Sequence, residues 1–568
     1  MILRKYYYLI YFVINLAWFA MCDVPSKEPT VLIAILVRNK AHTLPYFLSL
    51  LERQDYPKKR ICLWIRSDNN VDRSIEILNK WISLEGEKYH SLNVQLNATS
   101  TRFEDERTFA DWSPRRFAHV IDLREKALDY ARQIWADFIW MLDADVFLTN
   151  SNTIRDLVHK GYTVVAPVLR SDGTYSNFWA GMREYYYMRT DLYEPILIRE
   201  KIGCHNVPMV HSAVLIDLRR YDSDHLTYKS EKLIAYDGPE DDIIIFAIGA
   251  NKSDVPLFVC NDEIYGFIMV PLENEETITE DMQRLTNIKV EILAFNDLPL
   301  SDDLKEFVTY PEKDTLGLDH IYMINLLRRP ERRSRMHRLF DELGIRAEII
   351  DAVDGRILNE SSLQKWGVMP MPGYSDPYYK RPMTMGEIGC FLSHYSIWQK
   401  VLEHGYKSVM VLEDDVRFEP FFRQKVNYVL AELSYLGIEW DLVYIGRKRL
   451  ETSESPVEGS KVLLHAAYSY WTLGYILSES GAKKLIDAMP LGKLVPVDEY
   501  LPILSDTHPN EQWAAQFPIR DLIILSTNPL LIYPMRYTGE DGHISDTEDS
   551  KLVQNTVASI KSENRNEL

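Results

Sequence analysis

The sequence predicts an α/β protein made of two tandem Rossmann-type domains with mostly parallel sheets. Short apolar runs alternate with helical stretches, and this alternation starts twice, near residue 31 and again near residue 321. Continuous apolar runs suit strands that are buried on both faces, which is how parallel sheets hold them. The 568 residues are also enough for about two to four domains.

The composition is that of a globular protein and excludes some functions. Hydrophobic residues make up 46% of the chain and charged residues 26%, which is ordinary usage. Lys and Arg number 64 and Asp and Glu 83, so the net charge is −19. A general nucleic-acid binder needs a basic surface for phosphates, so we expect no nucleic-acid partner. Five cysteines are too few for a disulfide scaffold.

The N-terminus, residues 1–22, is predicted to be a cleavable signal peptide. Arg4 and Lys5 precede an apolar run over residues 6–21, which is shorter than the ~20 residues of a membrane span. An uncleaved anchor and a buried helix are the alternatives, and we expect no membrane span. The secretory route permits disulfides, but the sequence alone does not pair the remaining cysteines, Cys62, Cys204, Cys260 and Cys390.

The C-terminus also points to the secretory pathway. Arg565, Asn566, Glu567 and Leu568 resemble a retrieval signal of the endoplasmic reticulum, with Arg for Lys and Asn for Asp. A chance polar tail is the alternative. Sequons for N-glycosylation begin at Asn97, Asn251 and Asn359.

The first half, residues 28–271, follows the α/β alternation in order. Strands are predicted over residues 31–37, 61–66 and 138–142, and helices over 43–51, 73–84 and 118–135. The last of these strands ends at Asp143-Ala144-Asp145. Ligands of an α/β sheet sit beyond the carboxyl ends of its strands, so this loop is predicted to face a ligand.

The second half, residues 319–545, repeats the pattern. Strands are predicted over residues 321–326, 347–350, 408–412 and 440–446, with a basic helix over 328–343. Residues 272–318 form an acidic linker with some local structure, and residues 546–568 a flexible tail.

Acidic loops after a strand in each half are the first candidate sites. Asp143 and Asp145 in the first half, and Glu413, Asp414 and Asp415 in the second, place carboxylates at a two-residue spacing. Oxygen ligands of this kind hold Mg²⁺ or Mn²⁺ and bridge it to phosphates. A solvated loop is the alternative for either one alone, and the repetition in both halves favours metal binding.

A second acidic group follows each loop. Residues 237–242, which include Asp242, precede an apolar run, and residues 496–501 include Asp498 and Glu499. Both stretches are typical of helix N-termini. A carboxylate there is a candidate general base for an acceptor hydroxyl, and ordinary helix capping is the alternative.

Several further segments carry a family resemblance. They are residues 142–150, 324–326 with the Arg-rich stretch 328–335, 386–394, 412–418, 441–448, 468–472 and 537–542. The chain resembles animal glycosyltransferase family 25, and within it the procollagen galactosyltransferases. The resemblance implies two GT-A-like domains in the lumen of the endoplasmic reticulum. It also implies an inverting transfer of galactose from UDP-galactose to hydroxylysine of collagen, with Mn²⁺ or a similar divalent cation.

The resemblance also implies roles for particular residues. The acidic loop of one half would hold the cation, and Asp498, Glu499 or Asp242 would supply the base. Arg328, Arg332 and Arg333 are candidate phosphate ligands, and Ser393 and His394 candidate contacts of the nucleotide sugar. Each has a structural alternative, namely a solvated basic helix face or a satisfied buried loop.

Which half is catalytic stays open at this point. Bacterial relatives resemble only the second half, which favours that half, whereas the first half holds the more regular acidic triplet. A catalytically inactive adhesion protein and a transferase with another acceptor are the competing functions. The expected partners are collagen, a second copy of the chain and lysyl hydroxylases.

Overall fold

The computed structural model describes residues 27–99, 102–451, 453–538, 540, 542–547 and 550–553. They form two compact units. Unit 1 comprises the described residues up to 281 together with residues 298–308, and unit 2 comprises residues 282–297 and the described residues from 309 onward. The predicted signal peptide and retrieval signal lie outside the described residues. Within those residues, no helix combines the length and apolar character that a membrane crossing needs.

Unit 1 is built on an eight-stranded sheet with the order β11-β14-β6-β13-β4-β1-β2-β3. Six of its strands run in one direction, and β11 and β13 oppose them. The sheet strands are β1 (Val31–Val37), β2 (Ile61–Ser67), β3 (Ser91–Leu96), β4 (Phe138–Leu142), β6 (Val164–Pro167), β11 (Cys204–Val207), β13 (Ala213–Asp217) and β14 (Leu257–Cys260).

Shorter strands and the helices surround this sheet. The strands are β5 (Val146–Phe147), β7 (Leu169–Arg170), β8 (Phe178–Trp179), β9 (Gly181–Arg183), β10 (Tyr186–Met188), β12 (Met209–Val210) and β15 (Gly266–Ile268). The helices are α1 (Leu44–Glu52), α2 (Ser74–Glu85), α3 (Pro114–Gln133), α4 (Thr153–His159), α5 (Tyr193–Leu197) and α6 (Asp242–Lys252). A disulfide joins Cys204 of β11 to Cys260 of β14, which are paired neighbours.

Unit 2 is built on a seven-stranded sheet with the order β17-β16-β18-β22-β20-β23-β21. Five strands run in one direction, and β21 and β22 oppose them. The strands are β16 (His320–Asn325), β17 (Glu348–Asp351), β18 (Ser408–Glu413), β20 (Leu442–Arg449), β21 (Leu463–His465), β22 (Ser469–Ser478) and β23 (Ile524–Thr527), with β19 (Val416–Phe418) and β24 (Ile532–Pro534) as a separate pair. The predicted mostly parallel α/β class is confirmed.

The helices of unit 2 flank the sheet. They are α8 (Pro330–Leu343), α9 (Glu360–Trp366), α10 (Met385–His404), α11 (Phe422–Leu436), α12 (Glu479–Asp487), α13 (Val497–Leu504) and α14 (Glu511–Ala514). A capping box starts α10: the Thr384 hydroxyl accepts from the Glu387 amide, and the Glu387 carboxylate accepts from the Thr384 amide. This reciprocal pair satisfies backbone donors at the helix start.

Two segments differ from the predicted organisation. The acidic linker contains the 18-residue helix α7 (Ile278–Phe295), because Leu285, Ile288 and Ile292 form a buried face between its acidic residues. Residues 546, 547 and 550–553, predicted as flexible tail, lie along the start of α10. The Thr384 hydroxyl donates to the Thr547 carbonyl, and the Met385 amide to the Lys551 carbonyl.

Candidate active site

Unit 2 has a cavity of about 630 Å³ beyond the carboxyl ends of β16 and β18. This is the ligand position of an open α/β sheet. Its lining brings together side chains from five parts of the sequence: Arg328 and Arg332, Ser393 and His394, the 413–415 loop, Trp471 and Thr472, and Asp498 and Glu499.

Glu413, the last residue of β18, is held at the floor of this cavity by β22 and α10. Its Oε1 atom accepts a hydrogen bond from the Thr472 hydroxyl at 2.7 Å and lies 3.5 Å from His394 Nε2. Burial by itself would raise the pKa of Glu413, but His394 and Thr472 outweigh it, so the pKa is lowered. Glu413 is therefore an ionised carboxylate at neutral pH.

Asp414 is a buried residue of the cavity lining whose carboxylate is already bonded within the protein. It accepts hydrogen bonds from Asn325 Nδ2 at 2.6 Å and from an Arg332 guanidinium nitrogen at 3.1 Å. Its backbone carbonyl accepts from Arg335 at 2.7 Å. Because both carboxylate oxygens have protein donors, Asp414 fixes the loop and the arginines rather than offering oxygens to a ligand.

Asp415 is different, because part of its carboxylate has no partner. Its side chain is 36% exposed, yet the Oδ1 atom is buried, and no hydrogen-bond partner reaches it among the described residues. Burial and the charge of Glu413 raise the pKa of Asp415 to about 7. Two close carboxylates, one of them unsatisfied, form an arrangement that a bound cation would stabilise.

Asp498 is the second carboxylate with a strongly raised pKa. It lies in the first turn of α13, which follows Pro496. Burial and Glu413 raise its pKa to about 7, opposed in part by a hydrogen bond from the Trp471 backbone amide. A half-buried carboxyl that titrates near neutral pH at a cavity wall suits a general base.

Glu499, the neighbouring candidate, is already saturated with hydrogen bonds. It accepts from the hydroxyls of Tyr468 at 2.9 Å and Tyr470 at 2.7 Å, and it lies 2.8 Å from His508 Nε2. Its side chain is buried. Glu499 therefore holds the wall of the cavity together, and Asp498 is the carboxylate available for proton transfer.

The predicted phosphate ligands separate into two groups. Arg328 and Arg332 line the cavity, whereas Arg333 turns to Asp351 and Asn325. The carboxylate of Asp546, in the segment that lies along the start of α10, forms ion pairs with Arg328 and Arg329. It is 2.6 Å from Arg328 and 2.7 Å from Arg329, and 3.9 Å from Arg332.

Ser393 and His394 are both buried at the cavity wall. The Ser393 hydroxyl donates to the Gly389 carbonyl and accepts from the Val353 amide, so it is used within the protein. His394 Nδ1 pairs with the Tyr475 hydroxyl at 2.9 Å, which aims its Nε2 atom at Glu413. His394 is therefore a positioning residue for that carboxylate.

The acidic loop of unit 1 is compensated by internal cations. Arg124 of α3 lies 3.0 Å from Asp143 and 2.5 Å from Asp242. Burial would lower the pKa of Arg124, but the two carboxylates outweigh it and raise it. The predicted general base Asp242 is thus a buried half of an ion pair.

Asp145 is compensated in the same way. Lys40, in the loop after β1, lies 2.8 Å from Asp145 and 3.7 Å from Asp281. Burial lowers the pKa of Lys40, and the two carboxylates more than reverse this. Each carboxylate of the Asp143-Ala144-Asp145 triplet therefore already has a protein cation beside it.

Sequence reasoning missed three contributors to the unit 2 cavity: the Thr472 hydroxyl, the Trp471 amide and Asp546. Candidate site residues are recognised in the sequence as acidic residues directly after an apolar strand, and none of these three groups fits that pattern. The pairing of β22 with β18 brings Thr472 to Glu413. The three sequon asparagines, Asn97, Asn251 and Asn359, are all exposed, and their glycosylation stays a prediction.

Family models match both halves of the chain. The model described as glycosyltransferase family 25, N-terminal domain, matches residues 28–289. The model described as glycosyltransferase family 25 (LPS biosynthesis protein) matches residues 318–501. The chain therefore belongs to glycosyltransferase family 25, and the predicted family is confirmed.

Curated relatives match nearly the whole chain. A glycosyltransferase 25 family member of Aedes aegypti is 53% identical over 534 residues, which cover 93% of this chain and 88% of that protein. Procollagen galactosyltransferase 1-B of Xenopus laevis is 44% identical, covering 94% and 88%. Procollagen galactosyltransferase 2 of Homo sapiens is also 44% identical, covering 94% and 86%.

Solved structures give a much weaker likeness. The mannosyltransferase PcManGT from Pyrobaculum calidifontis, in complex with GDP-Man and Mn²⁺, matches with a TM-score of 0.28 and 13% identity. The match covers 51% of this chain and 73% of that one. It carries no argument about the site of this protein.

Proposed function

We propose that this protein transfers galactose from UDP-galactose to hydroxylysine residues of collagen, and that unit 2 carries out the reaction. The observation behind this choice is the contrast between the two acidic loops. In unit 1, Asp143 and Asp145 are paired with Arg124 and Lys40. In unit 2, Asp415 Oδ2 lies 3.5 Å from Arg332, but its buried Oδ1 has no hydrogen-bond partner among the described residues. The names of the 44% identical relatives support galactose as the sugar and collagen as the acceptor.

A divalent cation such as Mn²⁺ is the cofactor we propose for Glu413 and Asp415. The unpartnered Oδ1 atom of Asp415 and the raised pKa of its carboxyl fit a missing positive charge. Carboxylate oxygens are the ligands that hard cations prefer. When bound, the cation supplies charge neutralisation to the leaving diphosphate.

A second set of candidate metal ligands, which includes a thiol and an imidazole, lies beside the carboxylates but suits a hard divalent cation less well. Cys390, His394 and Glu413 each place one ligand atom within 4.8 Å of the others. Burial raises the pKa of the Cys390 thiol well above its ordinary value, so the thiol keeps its proton. A thiol is a soft ligand, whereas Mg²⁺ and Mn²⁺ prefer carboxylate oxygens, which leaves the carboxylates as the proposed set.

The chain's own residues provide the proton transfer. Ionised Asp498 accepts the proton of the hydroxylysine hydroxyl while that oxygen attacks the anomeric carbon of galactose. The bond between this carbon and the UDP oxygen breaks, so the products are the galactoside, UDP and protonated Asp498. Attack opposite the leaving group converts an α-linked donor into a β-galactoside. Arg328 and Arg332 face the same cavity and would bind the diphosphate in place of Asp546.

The setting that we propose is the lumen of the endoplasmic reticulum. An oxidising compartment fits the disulfide between Cys204 and Cys260. The signal peptide and retrieval signal predicted from the sequence would deliver and retain the protein there. A homodimer and an association with lysyl hydroxylases stay predictions from the family resemblance.

The test is a transfer assay with the full chain, a panel of UDP-sugars, deglycosylated collagen, and Mn²⁺ or EDTA. We expect transfer from UDP-galactose only, with loss in EDTA. Asp415→Asn should abolish transfer without lowering the melting temperature, while the exposed control Glu458→Gln stays active. Full activity of Asp415→Asn would exclude unit 2 as the metal site. Transfer to another hydroxylated protein but not to collagen would correct the acceptor.

A further inference from the structure

A second groove in unit 2 lies beside the catalytic cavity. Its volume is about 260 Å³, and its walls are mostly apolar and aromatic: Trp471, Leu530, Tyr533, Pro534 and Tyr537, with Lys448. Trp471, Pro534 and Lys448 also line the large cavity, so the two spaces are adjacent. We propose that this groove binds the acceptor polypeptide next to the modified residue, as an extended proline-rich segment. This inference rests on the proposed function, because it concerns the acceptor of that reaction.

Trp471 connects the groove to the reacting groups. Its backbone amide lowers the pKa of Asp498, and the residue lines both the catalytic cavity and the groove. Its φ of 68° lies in the left-handed region, which costs a bulky residue free energy and is common at functional sites. This backbone allows one residue to orient the proposed base on one side and to form a binding wall on the other.

The length of a hydroxylysine side chain suits a groove that adjoins the catalytic cavity. Its hydroxyl oxygen is four single bonds from Cα, or about 5 Å. When that oxygen meets Asp498, the peptide backbone must therefore lie within one side-chain length of the carboxylate. The groove starts at Trp471, the residue that contacts Asp498, so it receives the neighbouring residues of the polypeptide.

The groove walls suit pyrrolidine rings. The rings of Trp471 and Tyr537 have their centroids 5.9 Å apart, and the Lys448 ammonium lies 5.2 Å from the Trp471 ring. A polyproline II segment has no internal hydrogen bonds and keeps its backbone solvated. Such segments bind mainly by placing flat prolines against aromatic rings. Little ordering entropy is lost on binding, because the segment is already extended.

The first experiment measures binding without catalysis. We would titrate the full chain into a labelled Gly-Pro-Pro repeat peptide without hydroxylysine, and into a Gly-Ser peptide of equal length. We expect the proline peptide to bind at least about tenfold more tightly, and each of Tyr533→Ala and Tyr537→Ala to weaken it by about two- to tenfold. Tyr435→Ala, a tyrosine of the same unit that is 89% exposed, is the matched control. Equal binding of both peptides, or competition by a galactose-containing disaccharide instead, would refute the proposal.

The second experiment separates the groove from the catalytic centre. With UDP-galactose, Tyr537→Ala should lower kcat/KM for a hydroxylysine peptide with prolines by about two- to tenfold. It should leave kcat/KM for free hydroxylysine and the slow hydrolysis of UDP-galactose unchanged. An equal loss on free hydroxylysine would overturn the proposal. A wild-type chain that binds the proline peptide but transfers no galactose would contradict the proposed function and leave the groove assignment standing.

Discussion

Replacing Asp498 by Asn should abolish transfer and at the same time stabilise the protein. The amide has nearly the shape of the carboxyl group but accepts no proton from the acceptor. Loss of a general base typically costs 10²–10⁴-fold in rate. The stability gain follows from the environment of this carboxyl, where burial and the charge of Glu413 raise the pKa from 3.8 to about 7.

The sign and size of the gain depend on pH. Between pH 3.8 and about pH 7, the folded protein holds a proton on Asp498 that the unfolded chain has lost. The stability from this proton is complete below pH 3.8 and is lost as the pH rises through about 7. The difference between the pKa values of Asp498 in the unfolded and folded states corresponds to about 4 kcal/mol of unfolding free energy. Because Asp498 is only half-buried, we expect about half of this, or about 5 °C in melting temperature.

The assay is thermal unfolding of wild type and Asp498→Asn in EDTA, at pH 4, 6 and 8. The difference in melting temperature should be near zero at pH 4 and largest at pH 8. Glu458→Gln, an exposed carboxyl-to-amide change, should show no pH-dependent difference. In parallel, kcat/KM for transfer by the wild type with Mn²⁺ should fall at acidic pH as Asp498 takes up a proton, with the midpoint below 7 because a cation on Glu413 offsets the charge that raises this pKa.

A destabilised Asp498→Asn at pH 8 would refute this reasoning, because it would show that the charged carboxylate is favoured in the folded state. Retained transfer activity would refute the assignment of Asp498 as the base. The two outcomes are independent, since the melt needs neither donor nor acceptor.

Three further changes test other parts of the structure. Asp145→Asn should lower the free energy of unfolding by about 1–2 kcal/mol, since the part-buried Lys40 loses its nearer carboxylate and keeps only Asp281 at 3.7 Å, and UDP binding with Mn²⁺ measured by calorimetry should be unchanged; weakened UDP binding at unchanged stability would instead place a nucleotide in unit 1. Asp546→Asn should tighten UDP binding by about three- to tenfold, because it removes a negative charge beside the Arg328 and Arg332 guanidinium groups, and unchanged affinity would show that the carboxylate does not compete. Cys204→Ser should lower unfolding stability by up to about 4 kcal/mol, the chain-entropy value for a separation of 56 residues; a melt equal to that of wild type would contradict a structural role.

The sequence alone determined the elements that start or end in apolar runs. The strand over 31–37 and the acidic loops after β4 and β18 were predicted at their observed positions, because burial on both faces requires continuous apolar residues. The acidic segment 272–318 was predicted as a linker with some local structure. Its 18-residue helix α7 was not predicted, because acidic residues interrupt the apolar positions, among them Ile288 and Ile292, that form the buried face of the helix. The predicted flexible tail differs at residues 546, 547 and 550–553 because contacts of this segment are made with residues more than 150 positions away.

Tertiary structure alone decided which acidic loop can hold a cation. Asp143-Ala144-Asp145 and Glu413-Asp414-Asp415 both stand at the carboxyl end of a strand and both place two carboxylates at a two-residue spacing, so the sequence does not show which of them lacks a protein cation. Folding brings Arg124 and Lys40 to the first loop, whereas in the second it leaves Asp415 Oδ1 without a donor among the described residues. An ion pair depends on distances between side chains that are far apart in the chain, and only packing sets those distances.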